Sequence, residues 1–216
     1  MNYEVLPIFS KPIFVSNLVI SEEEKNTINE VVDNENYISS GVGQKNLTGK
    51  EISSSGKNIR ILEKDNLKFL KEKILSAFNV YKNDVMQFNN TDFDFTSSWI
   101  TKTEENQSSN FHTHSNAMFA GVYYHKVTEN TSDLSFENYN NPNWLVIPNN
   151  YNLYNSRQIS ISPKINDVII FPSEIYHRIE KNNTPENRYS IAFNLLPVGV
   201  IGEGDSKVKL SFEVVK

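Results

Sequence analysis

A chain of 216 residues is long enough to build one hydrophobic core and too short for two full-sized domains. With 21 Lys+Arg against 26 Asp+Glu the formal charge is −5, which offers no basic footprint to a polyanion and disfavours nucleic-acid binding. The absence of cysteine excludes disulfides, thiolate nucleophiles, zinc–thiolate sites and iron–sulfur clusters, so a metal would have to be held by His, carboxylate or water. No apolar run approaches the roughly 18 residues of a membrane span, and the stretch after Met1 lacks the basic start of a secretion signal, so the chain reads as soluble and cytoplasmic.

Ser21-Glu22-Glu23-Glu24 has the form of a capping box with acids in the first helical turn. Ile28, Val31 and Val32 follow on one face, which predicts a helix over 22–33. Leu67, Leu70, Ile74, Phe78, Tyr81 and Val85 step by three and four, predicting a longer helix over 65–86. Between the two helices, 33–57 is rich in Ser, Gly, Asn and Lys and reads as an exposed loop, either a lid or a plain connection. From 92 onward short runs of Phe, Ile, Val, Tyr and Thr alternate with Asn, Pro, Ser and Gly. Strands are expected at 93–103, 111–114, 117–127, 133–137, 144–147, 158–162, 167–171, 175–180, 187–196 and 207–215. Helices followed by many short strands point to an α+β, mainly β fold: a jelly roll with the N-terminal helices packed outside it. The whole of 1–216 is read as a single domain, helical over 1–90 and β over 91–216. The tail at 207–215 could close the sheet or pair with another subunit, and the sequence sets no oligomeric state.

The four histidines are His112, His114, His125 and His177. In an extended segment residues i and i+2 share a face, so His112 and His114 would present two imidazoles to one pocket, with His177 on a neighbouring strand as a third. His125 falls on the opposite face from Tyr124, is expected to be exposed, and is given no role. On the run Asn187–Phe193, Arg188, Ser190 and Ala192 share one face. An Arg there needs an anion, either a bound carboxylate or a protein acid such as Glu174 or Glu180. Met118, Ala120 and Val122 share the Tyr124 face and could wall a pocket, while Trp99, Phe136 and Trp144 read as core or pocket rim.

These elements stand in a familiar order: Ser98-Trp99, His112-Thr113-His114, Gly121-Val122-Tyr123-Tyr124, Phe171-Pro172-Ser173 with His177, Arg188-Tyr189-Ser190 and Phe193-Asn194. Together they resemble the iron(II)- and 2-oxoglutarate-dependent oxygenases, most closely a group common in phage and marine bacterial genomes and related to prolyl hydroxylases. Leu6–Phe14 also looks like that group's N-terminus, so the resemblance runs from about 6 to 197 and leaves 33–57 and the tail uncovered. It implies a double-stranded β-helix in which His112, His114 and His177 hold Fe(II), with His114 at the position of the usual carboxylate. It further implies that Arg188, Ser190 and Tyr124 bind 2-oxoglutarate, with no catalytic residue beyond the metal centre. An acid from elsewhere, Glu137 or Asp133, would be the alternative third ligand, and a register starting at His114 with Asn116 at the acid position is a further one. The implied reaction couples decarboxylation of 2-oxoglutarate to succinate with hydroxylation of a prime substrate by O2. That substrate, a small molecule or a peptidyl side chain, is not readable. A phage-encoded protein acting in the host cytoplasm fits the same resemblance. The rival readings are a cupin-like three-histidine metalloenzyme and a non-catalytic jelly-roll binding or virion protein.

Overall fold

The computed structural model describes residues 1–7, 9–39, 52–56, 58–88, 90–138 and 147–213. Helix α1 spans Glu22–Asp33 and starts where the capping box places it. The Ser21 side chain accepts from the Glu24 backbone N–H at 3.2 Å, and the Glu24 carboxylate accepts from the Ser21 N–H at 2.8 Å. Glu24 also takes Lys73 Nζ at 2.7 Å, which ties α1 to α2, Lys68–Val80. A 3-10 turn at Asp65–Leu67 leads into α2 and a π-helical turn, Tyr81–Val85, continues it, so the helical period in the sequence is followed almost to its end.

The β part comprises β1 (Phe14–Asn17), β2 (Ile38–Ser39), β3 (Ser53–Ser54), β4 (Asp92–Thr103), β5 (Phe119–Lys126), β6 (Leu134–Glu137), β7 (Gln158–Ile161), β8 (Asp167–Pro172), β9 (Tyr176–Ile179), β10 (Arg188–Ile201) and β11 (Val208–Leu210). The large sheet runs β1-β8-β5-β10-β4-β3-β2, with β11 on the far end of β10, and the small one runs β7-β6-β9. All strand pairs are antiparallel. This two-sheet arrangement with helices on one outer face is the expected jelly roll.

The two faces of the large sheet serve two cores. On its outer face Phe119, Tyr123, Val168, Ile170, Ile191, Phe193 and Leu195 pack with Ile28, Val32, Leu70, Ile74 and Phe78 of the helices. On its inner face Ala120, Tyr124, Ile169 and Phe171 pack with Leu134 and Phe136 of the small sheet. Gly121 is required by this arrangement, because an added Cβ would collide with the Phe193 ring and stand 3.0 Å from the Ile169 carbonyl oxygen.

Strand β4 changes face part-way. Its register against β10 shifts between Asn194 and Leu195, so that Asn194 faces Ser97 but Leu195 faces Phe95, leaving Thr96 as the extra residue of a bulge. Simple alternation would send Phe95 and Phe93 inward with Ser97 and Trp99. The bulge sends them outward instead, where Phe93 meets Phe78 with ring centroids 5.1 Å apart and Phe95 meets Phe193 at 5.4 Å.

Several expectations need correction. His125 is buried, because the odd residues of β5 face the helical layer. Asn29 of α1 lies over it, with Asn29 Oδ1 and His125 Nε2 2.8 Å apart. The loop reading of 33–57 fails over its described ends: β2 and β3 extend the large sheet, and the buried Ser55 accepts from the Ile100 N–H at 3.1 Å. Backbone pairing outweighs the polar composition there. Residues 40–51 and 57, on which the lid question turns, lie outside the described residues, as do Trp144 and most of the 144–147 strand. Segment 111–114 makes one bridge instead of a strand, and among the described residues the end of the chain pairs only over β11, with 214–215 lying outside them. Among the described residues no helix is long and apolar enough to cross a membrane.

Candidate metal and carboxylate site

The bridge His112↔His177 adds the Phe111–His114 segment to the edge of β9, with His112 N–H donating to His177 O and the reverse, both at 3.0 Å. The next step is held by the Phe171-Pro172-Ser173 corner, where the Ser173 carbonyl accepts from His114 N–H at 3.0 Å and the Ser173 hydroxyl donates to the Ala117 carbonyl. Three imidazoles thereby converge. Their ring centroids are 4.4 Å (His112–His177), 5.0 Å (His114–His177) and 5.3 Å (His112–His114) apart, and one ligand nitrogen from each lies within 4.8 Å of the others. Among the described residues no Asp or Glu joins this cluster. Glu137 is paired with Arg157 at 2.9 Å, and Asn116 is exposed.

The rings are oriented for ligation. His112 Nδ1 is 2.8 Å from Asn110 O, His177 Nδ1 is 2.9 Å from Ile175 O, and His114 Nδ1 is 2.6 Å from Asn194 Oδ1. With Nδ1 engaged on each ring, Nε2 is the nitrogen left for a metal. Burial, then the neighbouring His112, lowers the pKa of His114 to about 4 and that of His177 to about 3, so both are neutral and able to ligate at physiological pH.

Deeper in the same cavity lies Arg188, fully buried, with Nε and both terminal nitrogens lacking a hydrogen-bond partner among the described residues. Its guanidinium stands over the Tyr124 ring at 4.8 Å. The hydroxyls of Tyr124, Ser190 and Thr103 are buried and unpartnered as well. Glu174 and Glu180, the protein acids considered as counter-ions, are instead paired with Lys11 at 3.4 Å and Arg178 at 2.9 Å. A buried guanidinium without a counter-ion is costly, and a cluster of unpartnered donors around it is the arrangement that a carboxylate would complete. Burial lowers the pKa of Arg188 and raises that of Tyr124, while each of the two opposes the other's shift. Arg nevertheless keeps its charge in proteins.

The cavity joining the two ends is lined by Trp99, Thr101, Val122, Leu134, Phe171 and Ala192 among others, with Ile52 at its edge. Trp99 stacks on His114 at 5.7 Å and so belongs to the site, whereas Phe136 packs in the core against Phe171 at 5.0 Å. Ala120 and Val122 wall the cavity as anticipated, but Met118 is exposed and does not. Thr103 and Ile52 were not singled out from the sequence, and Asn194 stood there only as part of the Phe193-Asn194 motif, with no role given. The alternation that placed Arg188 inward also places Asn194 inward, and the pairing Arg188↔Thr103 needs the sheet register.

Residues 97–194, which hold all of these histidines and the arginine, match the model of the family described as "Putative 2OG-Fe(II) oxygenase". This segment is similar to the 2OG-Fe(II) oxygenases. Solved structures share the fold at low identity. HygX from Streptomyces hygroscopicus, crystallised with nickel, 2-oxoglutarate and hygromycin B, is 10% identical, with a TM-score of 0.60 over 87% of this chain and 83% of that one. A prolyl-4-hydroxylase from Pseudomonas putida is 10% identical, with a TM-score of 0.57 over 86% and 93%. A prolyl hydroxylase in complex with a hypoxia inducible factor peptide fragment from Trichoplax adhaerens is 11% identical, with a TM-score of 0.56 over 85% and 82%. No curated protein matches the sequence.

Proposed function

We propose that the chain is a 2-oxoglutarate- and Fe(II)-dependent hydroxylase in which Nε2 of His112, His114 and His177 hold the iron and Arg188, Ser190 and Tyr124 hold the distal carboxylate of 2-oxoglutarate. The balanced reaction is 2-oxoglutarate + O2 + R–H giving succinate + CO2 + R–OH. Bound iron supplies the redox chemistry, by chelating the keto acid and activating dioxygen. The chain's own residues bind, orient and shield. Arg188 presents its donors to one carboxylate from inside a dry cavity, where a charge-assisted contact is stronger than in water. Tyr124 and Ser190 add hydroxyl donors, and Thr103 stands ready as a further one. Val122, Leu134, Phe171 and Ala192 exclude water from the stretch between Arg188 and the histidines.

The observation that carries this reading is the buried Arg188 with three unpartnered nitrogens, in one cavity with three imidazoles each engaged through Nδ1. The donor set fits its groups: neutral imidazoles suit a first-row divalent metal, and a guanidinium with hydroxyls suits a carboxylate. With no carboxylate ligand, Fe(II) and Arg188 together bring three positive charges to the cavity, and a dianionic keto acid offsets two of them.

The prime substrate is proposed to be a small molecule or a peptidyl side chain approaching past Trp99 and Ile52. Support comes from the hygromycin B and peptide complexes of the fold relatives. A cytoplasmic location is supported by the cysteine-free composition and by the need for ferrous iron and a central metabolite. The helical and β parts are proposed to act as one domain, supported by the core they share.

The test is an anaerobic titration of metal-free protein with Fe(II) and 2-oxoglutarate, in wild type and in Arg188→Ala, following the visible charge-transfer band of a chelated keto acid. The band is expected only with both components and strongly weakened in the variant. Its absence from the wild type would sink the oxygenase reading and favour a non-catalytic jelly roll.

A further inference from the structure

His112 and His177 give their Nδ1 protons to backbone carbonyls two residues earlier in the chain, Asn110 and Ile175. A carbonyl oxygen only accepts, so both rings carry the proton on Nδ1 and keep a lone pair on Nε2. His114 is held differently. Its Nδ1 contact is a side chain, Asn194 Oδ1, at 2.6 Å.

An amide can turn either end toward a ring, and the end it presents dictates the tautomer. With Oδ1 toward His114, the ring proton sits on Nδ1 and Nε2 faces the cluster as a ligand. Turned over, the amide would donate to Nδ1 and force the proton onto Nε2, closing that ligand position. Asn194 is held with Oδ1 toward the ring while its Nδ2 donates to Ser97 Oγ at 3.1 Å, directly across the β4–β10 pair. The residue is 4% exposed, so water does not compete for either end. The bulge at Thr96 begins one step beyond this pair.

We propose, resting on the three-histidine reading above, that Asn194 is a positioning residue: it locks His114 in the Nδ1–H tautomer and aims Nε2 at the metal. Backbone carbonyls do this for the other two rings. Ser97 is its anchor. Because an amide is neutral, Asn194 orients the ring without adding the negative charge that a carboxylate in its place would bring.

The direct test needs no metal and no turnover. Long-range 15N–1H spectra of the histidine rings in metal-free protein near neutral pH are expected to place the proton of His114 on Nδ1. In Asn194→Ala the His114 signals are expected to move toward the Nε2–H form, with His112 and His177 unchanged. Ser97→Ala, which keeps Asn194 but frees its amide to turn, should populate both forms. Co(II) titration gives a second readout. Asn194→Ala is expected to weaken binding about 10–100-fold, and Asn194→Asp, which retains an acceptor oxygen, should restore it. A merely structural Asn194 would lower the unfolding temperature in both variants and leave the tautomer unmoved. An Nε2–H His114 in the wild type, or wild-type Co(II) binding in Asn194→Ala, overturns the proposal. Wild-type protein with the expected tautomer and no affinity for Co(II) would overturn the metal reading instead.

Discussion

Arg188 offers a test in which stability and binding move in opposite directions. Its charge is fully buried, and among the described residues it has no ion pair and no hydrogen bond at any of its three nitrogens. The effective cost of such a buried charge is several kcal/mol. The stacking on Tyr124 at 4.8 Å returns about 2 kcal/mol when desolvated. Arg188→Met keeps an unbranched apolar stem, though a shorter one, and removes the charge, so the ligand-free variant is expected to be more stable than wild type by about 2 kcal/mol. For a chain of this size that corresponds to an unfolding temperature about 4–8 °C higher. Addition of 2-oxoglutarate with Mn(II), a redox-inert stand-in, reverses the order. Wild type should gain about 2.7 kcal/mol at a hundredfold excess over its dissociation constant, while the variant should not respond. Thermal unfolding with and without the ligand pair reads all four values. A ligand-free Arg188→Met that melts below wild type would refute the argument, because it would mean the guanidinium already holds a structural contact.

Three further outcomes are expected. His114→Asp introduces a negative charge at the proposed metal site, so Mn(II) should bind at least about tenfold tighter in the absence of 2-oxoglutarate, and unchanged affinity in a competition titration would contradict the charge argument. Burial, then the nearby Lys126, lowers the pKa of His125 to about 4, against an ordinary value near 6.5. The unfolded chain therefore binds a proton that the folded chain refuses, and the His125 contribution is complete above about pH 6.5 and lost as pH falls toward 4, by up to about 3 kcal/mol. Urea unfolding across that window should show a flatter profile for His125→Gln than for wild type. Gly121→Ala forces a methyl into the Phe193 ring and should destabilise by about 1–3 kcal/mol. Pairing it with Phe193→Leu should recover part of the loss, and a double variant no better than the single would point to backbone strain instead.

Much of the helix and strand pattern was legible because it rests on local signals. The capping box set the start of α1 to the residue, and the period-two alternation of 188–194 placed Arg188 and Ser190 on the pocket side. What was not legible depends on partners far away in the chain. His125 looks like a surface residue until α1 covers its strand face, and Ser53–Ser54 looks like loop until β4 pairs with it. Met118 follows the same alternation as Val122 but precedes β5, where the pleat no longer controls its direction. The bulge at Thr96 carries no sequence mark of its own. Spacing placed His112 and His114 on one face and left His177 to a neighbouring strand, while the place of Thr103 opposite Arg188 and the contact of Asn194 with His114 emerge only from strand register.

Arg188 and Asn194 stand on one uninterrupted strand, six residues apart and on the same face. The span between them is therefore close to 20 Å of extended backbone, at about 3.3 Å per residue. One end grips a carboxylate in the proposed reading and the other aims the ligand ring at the metal. That segment fixes the carboxylate end and the hold on one ring, while the other two rings reach the cluster from the 111–114 segment and from β9. A substitution that shifts β9 would therefore move His177 and with it the distance from the three rings to Arg188, which β10 alone does not set.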